Sequence, residues 1–157
     1  MTKCILVVHF INQLKGKATD MQVDDQVTSV EQSRVLLRLG VPSEKASMAW
    51  TTLSDGKFEH FTVMDRTIVL PENIEEVAFT VSDLLDIVPY QINTGSGFNN
   101  NLVIRKLFQN TDYCEWVVSY TDYVGCHLFY KMSSLSLIDI LVELVEWLDG
   151  QGLLNLS

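Results

Sequence analysis

The stretch Ser133–Asp149, SSLSLIDILVELVEWLD, constrains the fold more than any other part of the chain. Its polar residues Ser136, Asp139, Glu143, Glu146 and Asp149 recur three or four positions apart, so on a helix they line one side. Leu137, Leu141, Leu144, Val145 and Leu148 fall on the opposite side. Ile140 and Trp147 flank that stripe on one edge, and Leu135 and Val142 flank it on the other. The resulting apolar arc is wider than the roughly 100° stripe of an ordinary surface helix. Such a helix packs on a sheet and touches something more, either a second helix of its own chain or a partner. Ile140 and Trp147 are therefore candidate partner-surface residues.

The chain has 157 residues, enough for one domain with a real core, and 47% of them are hydrophobic, too many for a disordered chain. Twenty acids against eleven bases leave a net charge of -9. The densest basic pairs, Lys15 with Lys17 and Arg105 with Lys106, are too thin to track a phosphate backbone. Direct nucleic-acid binding and docking on an anionic membrane are not expected. Cys4, Cys114 and Cys126 are odd in number and form no C-x-x-C, which argues for free thiols in a reducing cytoplasm and against a zinc knuckle. The apolar run Cys4–Ile11 is too short to span a bilayer, and no small-residue cleavage site follows it.

Along the chain, Cys4–Ile11 is β-branched and aromatic enough for a strand, and Leu14–Asp25 is polar and reads as a loop. Residues 1–27 are thus an N-terminal extension or an extra strand, followed by a single domain over 28–157. Thr28-x-x-Glu31 and Ser29-x-x-Gln32 are overlapping capping boxes, and Gly40-Val41-Pro42 is a stop, so a helix is predicted over 28–39. Met48–Leu53 and Phe58–Met64 form a hairpin around Asp55-Gly56. Thr67–Leu70 reads as a short strand and PENIEEVA as an acidic loop. Thr80-x-x-Asp83 opens a second helix, with Phe79 and Leu84 as its hydrophobic staple and Pro89 as its end. INTGSGFNNN reads as a Gly/Asn loop, and QGLLNLS as a short tail.

Three alternating strands are predicted at about 101–108, 113–120 and 123–131, with even-numbered residues inward on all three. Tight turns at 110–112 and 121–123 place Cys114 opposite Tyr130 and Cys126 opposite Val118. The two thiols then stand roughly 13 Å apart along the sheet, too far for a disulfide. On the outward face Arg105, Val117 and His127 form one row, and Leu107, Glu115 and Phe129 the next. This mixture suits either a solvated sheet face or a partner surface. Arg105, Val117, His127 and Phe129 join Ile140 and Trp147 as candidate partner-surface residues.

Three blocks, SVEQSRVLLRLGVPSEKASMAW, LPENIEEVAFTVSDLLDIVPYQI and SLIDILVELVEWLDGQGLLN, together resemble a group of small proteins encoded by phages, prophages and mobile elements of gut anaerobic bacteria. In that group a helix of pattern (S/I)xEQ(S/A)xxLxxLG precedes an aromatic hairpin, a Leu-rich SLxxLLDxLP helix, strands and an acidic-apolar terminal helix. The resemblance covers about 28–155 and does not reach 1–27. It implies an α+β fold and a cytoplasmic host setting. It carries no reaction and no catalytic or binding residue.

Familiar chemistry is not legible. His9 lies in an apolar run, and His60 sits beside Glu59 without an orienting third group. Cys126 and His127 are neighbours on a strand and point to opposite faces, which disfavours a cysteine hydrolase. Gly95–Gly97 matches no phosphate-binding fingerprint, and Glu72, Glu75 and Glu76 lack the alternation of a calcium loop. No catalytic residue, cofactor or metal is expected. The sequence points to an α+β domain with an antiparallel sheet of hairpins, about three helices, and the C-terminal helix packed on the sheet. The function class it favours is a protein-interaction or self-association module without catalysis. An acidic DNA mimic that inhibits a nucleic-acid-binding enzyme is the alternative, and a small hydrolase stands third.

Overall fold

A computed structural model describes residues 26–54, 59–93, 99–108, 114–122 and 128–156. The expectations for Cys4–Ile11, Leu14–Asp25, Gly95–Gly97, Cys126 and His127 lie outside these residues, as does the separation of the Cys114 and Cys126 thiols. The described elements run α1 (Val30–Arg38), β1 (Met48–Ser54), β2 (Glu59–Asp65), β3 (Ile74–Ala78), α2 (Val81–Ile87), β4 (Gln91–Asn93), β5 (Asn99–Phe108), β6 (Cys114–Thr121), β7 (Leu128–Ser134) and α3 (Leu137–Gly150). Two antiparallel sheets have the orders β2-β1-β3 and β4-β5-β6-β7. The fold is α+β, and the C-terminal helix packs on the four-stranded sheet.

Each helix begins where its local chemistry dictates. Ser29 caps α1 with a complete box, in which Gln32 N donates to Ser29 Oγ and Ser29 N donates to Gln32 Oε1. Thr80 and Asp83 do the same for α2. Ser136 caps α3 through Asp139 N. The ends of α1 and α3 are a matched pair of left-handed turns. At α1, Gly40 N donates to Leu37 O and Val41 N to Leu36 O, with Gly40 at φ +88°. At α3, Gly152 N donates to Asp149 O and Leu153 N to Leu148 O, with Gly152 at φ +65°. Both endings need a residue that tolerates positive φ, and both have glycine. The segment after α3 is more than a loose tail: Leu153, Leu154 and Leu156 pack against the core.

Of the two overlapping capping boxes, only the one at Ser29 forms. Thr28 has a different task. Its N donates to Phe79 O at 2.9 Å, and its Oγ1 accepts from Phe79 N at 2.8 Å. Its hydroxyl also shares a 2.7 Å hydrogen bond with Ser33 Oγ, and its carbonyl accepts from Trp50 Nε1 at 3.0 Å. Thr28 is fully buried, so this cluster ties the start of α1 to β1 and to the entry of α2 without water.

The core is built around α3. Ile140, Leu141, Leu144, Val145 and Leu148 are fully buried, and Ile138 and Val142 nearly so. With them pack Leu36 and Val41 from around α1, Val77 of β3, Phe79, Leu84 and Ile87 around α2, Ile92 of β4, and Val118 and Tyr120 of β6. A smaller cluster of Val27, Trp50, Val63 and Ala78, with Val30 and Met48, gathers beneath the three-stranded sheet.

Three expectations are corrected. Thr67–Leu70 is a turn, because Asp65 Oδ1 accepts from both Thr67 N and Thr67 Oγ1 and Ile68 N donates back to Asp65 O. PENIEEVA is a 3-10 turn at Pro71–Asn73 followed by β3, whose acids sit on an edge strand where Glu75 is exposed and Glu76 pairs with Arg34. The Asn-rich segment is also partly strand: β4 and the start of β5 pair Gln91 with Asn101 and Ile92 with Asn100. Asn is a poor strand former, so pattern alone hides these ladders.

Leu141→Ala is expected to cost about 2–5 kcal/mol in urea unfolding, as large-to-small changes in a close-packed core do. Glu143→Ala, on the exposed side of the same helix, is expected to stay within about 0.5 kcal/mol. Thr28→Val removes the acceptor of a buried amide and is expected to cost about 1–3 kcal/mol. Thr28→Ser keeps that acceptor and is expected to cost about 1 kcal/mol, the loss of one methyl group.

Candidate functional site: the uncovered end of the four-stranded sheet

The pairing of β5 with β6 sets Arg105 opposite Val117 and Leu107 opposite Glu115, as the parity of the two strands predicts. The pairing of β6 with β7 differs from expectation. Val118 pairs with Met132, Tyr120 with Tyr130 and Val117 with Ser133, with an irregularity between Tyr120 and Thr121. This register is six residues away from the expected one, in which Cys126 opposes Val118. An even shift keeps every side chain on its face, so alternation cannot distinguish the two. The observed register brings Tyr130 and Met132 beside Tyr120 and Val118 under α3, and it ends β7 at Ser134, two residues before the Ser136 cap.

The six sequence-derived candidates are therefore not one surface. Ile140 is fully buried and offers nothing to a partner. Trp147 is half-buried, with its ring 4.3 Å from that of Tyr130 and 6.4 Å from that of Tyr120. Both tyrosines belong to the four-stranded sheet, so Trp147 packs within the chain. Arg105 is exposed, and Val117 beside it is buried. Ser133 occupies the place expected for His127 in that row, and His127 itself lies outside the described residues. Phe129 belongs to β7, its side chain being outside the described residues, and β7 does not reach Glu115.

The tyrosines under Trp147 are held neutral. Burial, and then the charge of Glu143, push the Tyr130 phenol up to about 12. Burial, and then Tyr130, raise Tyr120 further. Tyr120 donates to Pro89 O, and Tyr130 donates to Met132 Sδ at 3.2 Å. These are packing groups with satisfied hydroxyls.

Exposed apolar residues stand where β5 and β6 run past the end of β7, as they also do at Ile68, Leu70 and Tyr90. The last pair on β7 is Ser134 with Trp116, while β5 and β6 continue through Leu107–Glu115 and Phe108–Cys114. Phe108 is 73% exposed, Leu135 64% and Leu107 44%. The Lys106 ammonium lies 5.0 Å from the centre of the Trp116 ring and 5.6 Å from that of Phe108, within cation–π range of both. Trp116, expected in the core near Ile104, is half-buried under this lysine. The parity that assigned Phe108 to the inward face is correct, but α3 does not extend over it. A length comparison exposes the mismatch. The ten residues of β5 span about 33 Å at 3.3 Å each, and the fourteen of α3 about 21 Å at 1.5 Å each.

A separate open hollow is lined by Glu44, Ala46, Ser47, Asp65, Arg66 and Thr67. Its polar groups serve the local turns. Arg66 donates through its guanidinium to Ser43 O and through its backbone to Ser47 O, and Ser47 donates to Asp83 Oδ2 from N and from Oγ. The side-chain and backbone hydrogen bonds from Thr67 hold the Asp65 carboxyl below its ordinary range. Among the described residues no group of three or more His, Cys, Asp or Glu is placed to hold a metal ion, and no helix is long and apolar enough to cross a membrane. Comparisons with protein-family models, with curated proteins and with solved structures find no match to this chain.

A phenol whose folded pKa is raised is protonated more readily in the folded chain than in the unfolded one. Its contribution is fully present below the unfolded value of 10.0 and is lost as pH rises towards about 12 for Tyr130. Stability measured by urea midpoint is expected to fall across that window, and Tyr130→Phe is expected to make the fall shallower.

Proposed function

We propose that this chain works by binding another protein through the uncovered end of the four-stranded sheet, and that it performs no reaction of its own. The observation that carries this reading is exposed Phe108 beside Lys106, whose ammonium lies against Phe108 and Trp116, with Leu107 exposed on the opposite face of the same strand. Isolated exposed leucines are ordinary. Exposed aromatic and apolar groups around a cation and an indole have the composition of an interface hot spot. The resemblance of three sequence blocks to phage and mobile-element proteins supports a setting in a bacterial cytoplasm, with a host or phage protein as partner.

A second reading, an acidic DNA mimic, is favoured by one feature. Glu143, Glu146 and Asp149 are exposed along one side of α3 in a chain of net charge -9. Asp139 continues the row, but its Oδ1 accepts from Gln32 Nε2 at 2.7 Å and ties α3 to α1. From Asp139 to Asp149 the row covers about 15 Å of helix axis. A DNA strand sets a phosphate about every 3.4 Å of axis, so the row is sparser than the strand it would imitate. The hot-spot reading is the stronger.

Affinity purification from a bacterial host with quantitative mass spectrometry separates them. Phe108→Asp is expected to abolish capture of the partner with an unchanged thermal midpoint. Glu143→Lys/Glu146→Lys is expected to leave capture intact. The reverse pattern, with a nucleic-acid-binding enzyme as the captured protein, assigns the chain to mimicry.

A further inference from the structure

The partner of β5 on one side stops early. β4 pairs only Gln91, Ile92 and Asn93 with Asn101, Asn100 and Asn99, and Leu102 N then donates to Tyr90 O at 2.8 Å. The next residue whose backbone would face β5 is Val88, and its N–H donates to Leu84 O at the end of α2, while Pro89 between them faces away and its carbonyl accepts from the Tyr120 hydroxyl. From there the chain leads back to α2. Beyond Leu102, no described strand pairs with β5 on this side. Along an antiparallel strand, backbone groups face alternate neighbours. The Leu102 N–H faces β4, so Ile104, Lys106 and Phe108 present their N–H and C=O groups to the same open side. Val103, Arg105 and Leu107 face β6. The edge is thus a regular template with a two-residue spacing, and it carries none of the bulges or prolines that blunt such edges.

Its chemistry has a sign. Arg105, Lys106, Leu107 and Phe108 are exposed, and β5 contains no acid from Asn99 to Phe108. In a chain of net charge -9 this is a local basic and apolar strip. A second copy of the chain is a poor occupant. Antiparallel pairing of two such edges about their centre sets Lys106 against Lys106 or Arg105 against Arg105, and like charges directly opposite are destabilising.

We propose that the open edge of β5 from Ile104 to Phe108 takes up an extended acidic segment of another protein, which adds to the sheet as an antiparallel strand in line with β4. The inference rests on the protein-binding reading above and names its partner class. Main-chain hydrogen bonds to Ile104, Lys106 and Phe108 supply attachment. Carboxylates on the Arg105 face and an apolar residue on the Phe108 face supply selectivity, the alternation of the added strand matching that of β5.

The test titrates the full chain with a capped peptide of about eight residues, the length of an ordinary strand, alternating valine and glutamate. A valine and lysine peptide is the control. The glutamate peptide is expected to bind and to slow amide hydrogen exchange at Ile104, Lys106 and Phe108. Lys106→Pro removes an outward N–H and no β5–β6 bond, so the fold should persist while binding weakens about tenfold or more. Arg105→Glu/Lys106→Glu leaves the edge open and is expected to switch preference to the lysine peptide, which keeps the test decisive should the proline variant not fold. Equal binding of the two peptides, or no protection at the three amides, overturns the proposal. A dimer that Lys106→Pro dissociates assigns the edge to a second copy and also overturns it. Should a Phe108-dependent partner bind folded Lys106→Pro unchanged, the protein-binding reading stands and the edge proposal falls. Should the peptide bind the edge while Phe108→Asp alters no capture, the edge proposal stands and the Phe108 reading falls.

Discussion

Burying the wide apolar arc of α3 is the requirement that the rest of the structure meets. Seven of its residues, from Ile138 to Leu148, are buried, and they occupy more of its circumference than one sheet can cover. The four-stranded sheet takes one side, where Trp147 meets Tyr120 and Tyr130. Helices α1 and α2 take another. The row with Asp139, Glu143, Glu146 and Asp149 is left to solvent. The two sheets share no strand, and the main core, with α3 at its centre, draws residues from both.

The Thr28 cluster holds the other half of the arrangement. Buried between α1, β1 and the start of α2, Thr28 uses its N–H, its carbonyl and its hydroxyl. Each of these groups is out of water, so losing any one partner leaves a dry polar atom. The cluster therefore sets how α1 enters the core, where Leu36 packs. The capping box at Ser29 lies one residue further along and leaves the Thr28 side chain available for this role.

The candidate site follows from lengths. A strand gains about 3.3 Å per residue and a helix about 1.5 Å, so a long β5 cannot be roofed by α3. The uncovered part carries Lys106, Trp116, Leu107 and Phe108 at its end. The same strand outruns β4 on its other side, because the chain before Tyr90 belongs to the end of α2, where the Val88 N–H is bonded to Leu84 O. An exposed aromatic beside a lysine and, among the described residues, an unpaired stretch of ladder thus arise at one place from one cause, a strand longer than its neighbours.

Much of this was legible in the residues alone. Caps, stops and periodicity locate α1, α2 and α3, and the Asp55-Gly56 signal and alternation locate β1, β2, β5 and β6, because these depend on neighbours a few residues away. Parity also sets which side chains of β5 and β6 face inward. Tertiary structure decided the rest. The strands β3 and β4 exist because β1 and β5 pair with them, against the preferences of Glu and Asn. The register of β7 was chosen by what must lie under α3, since an even slip is silent to alternation. Ile140 is buried in the core shared by helices and sheets and Trp147 is half-buried on Tyr120 and Tyr130, while Phe108 stands exposed past the end of β7. Exposure is a property of what lies opposite a residue, and the chain acquires that only when distant segments meet.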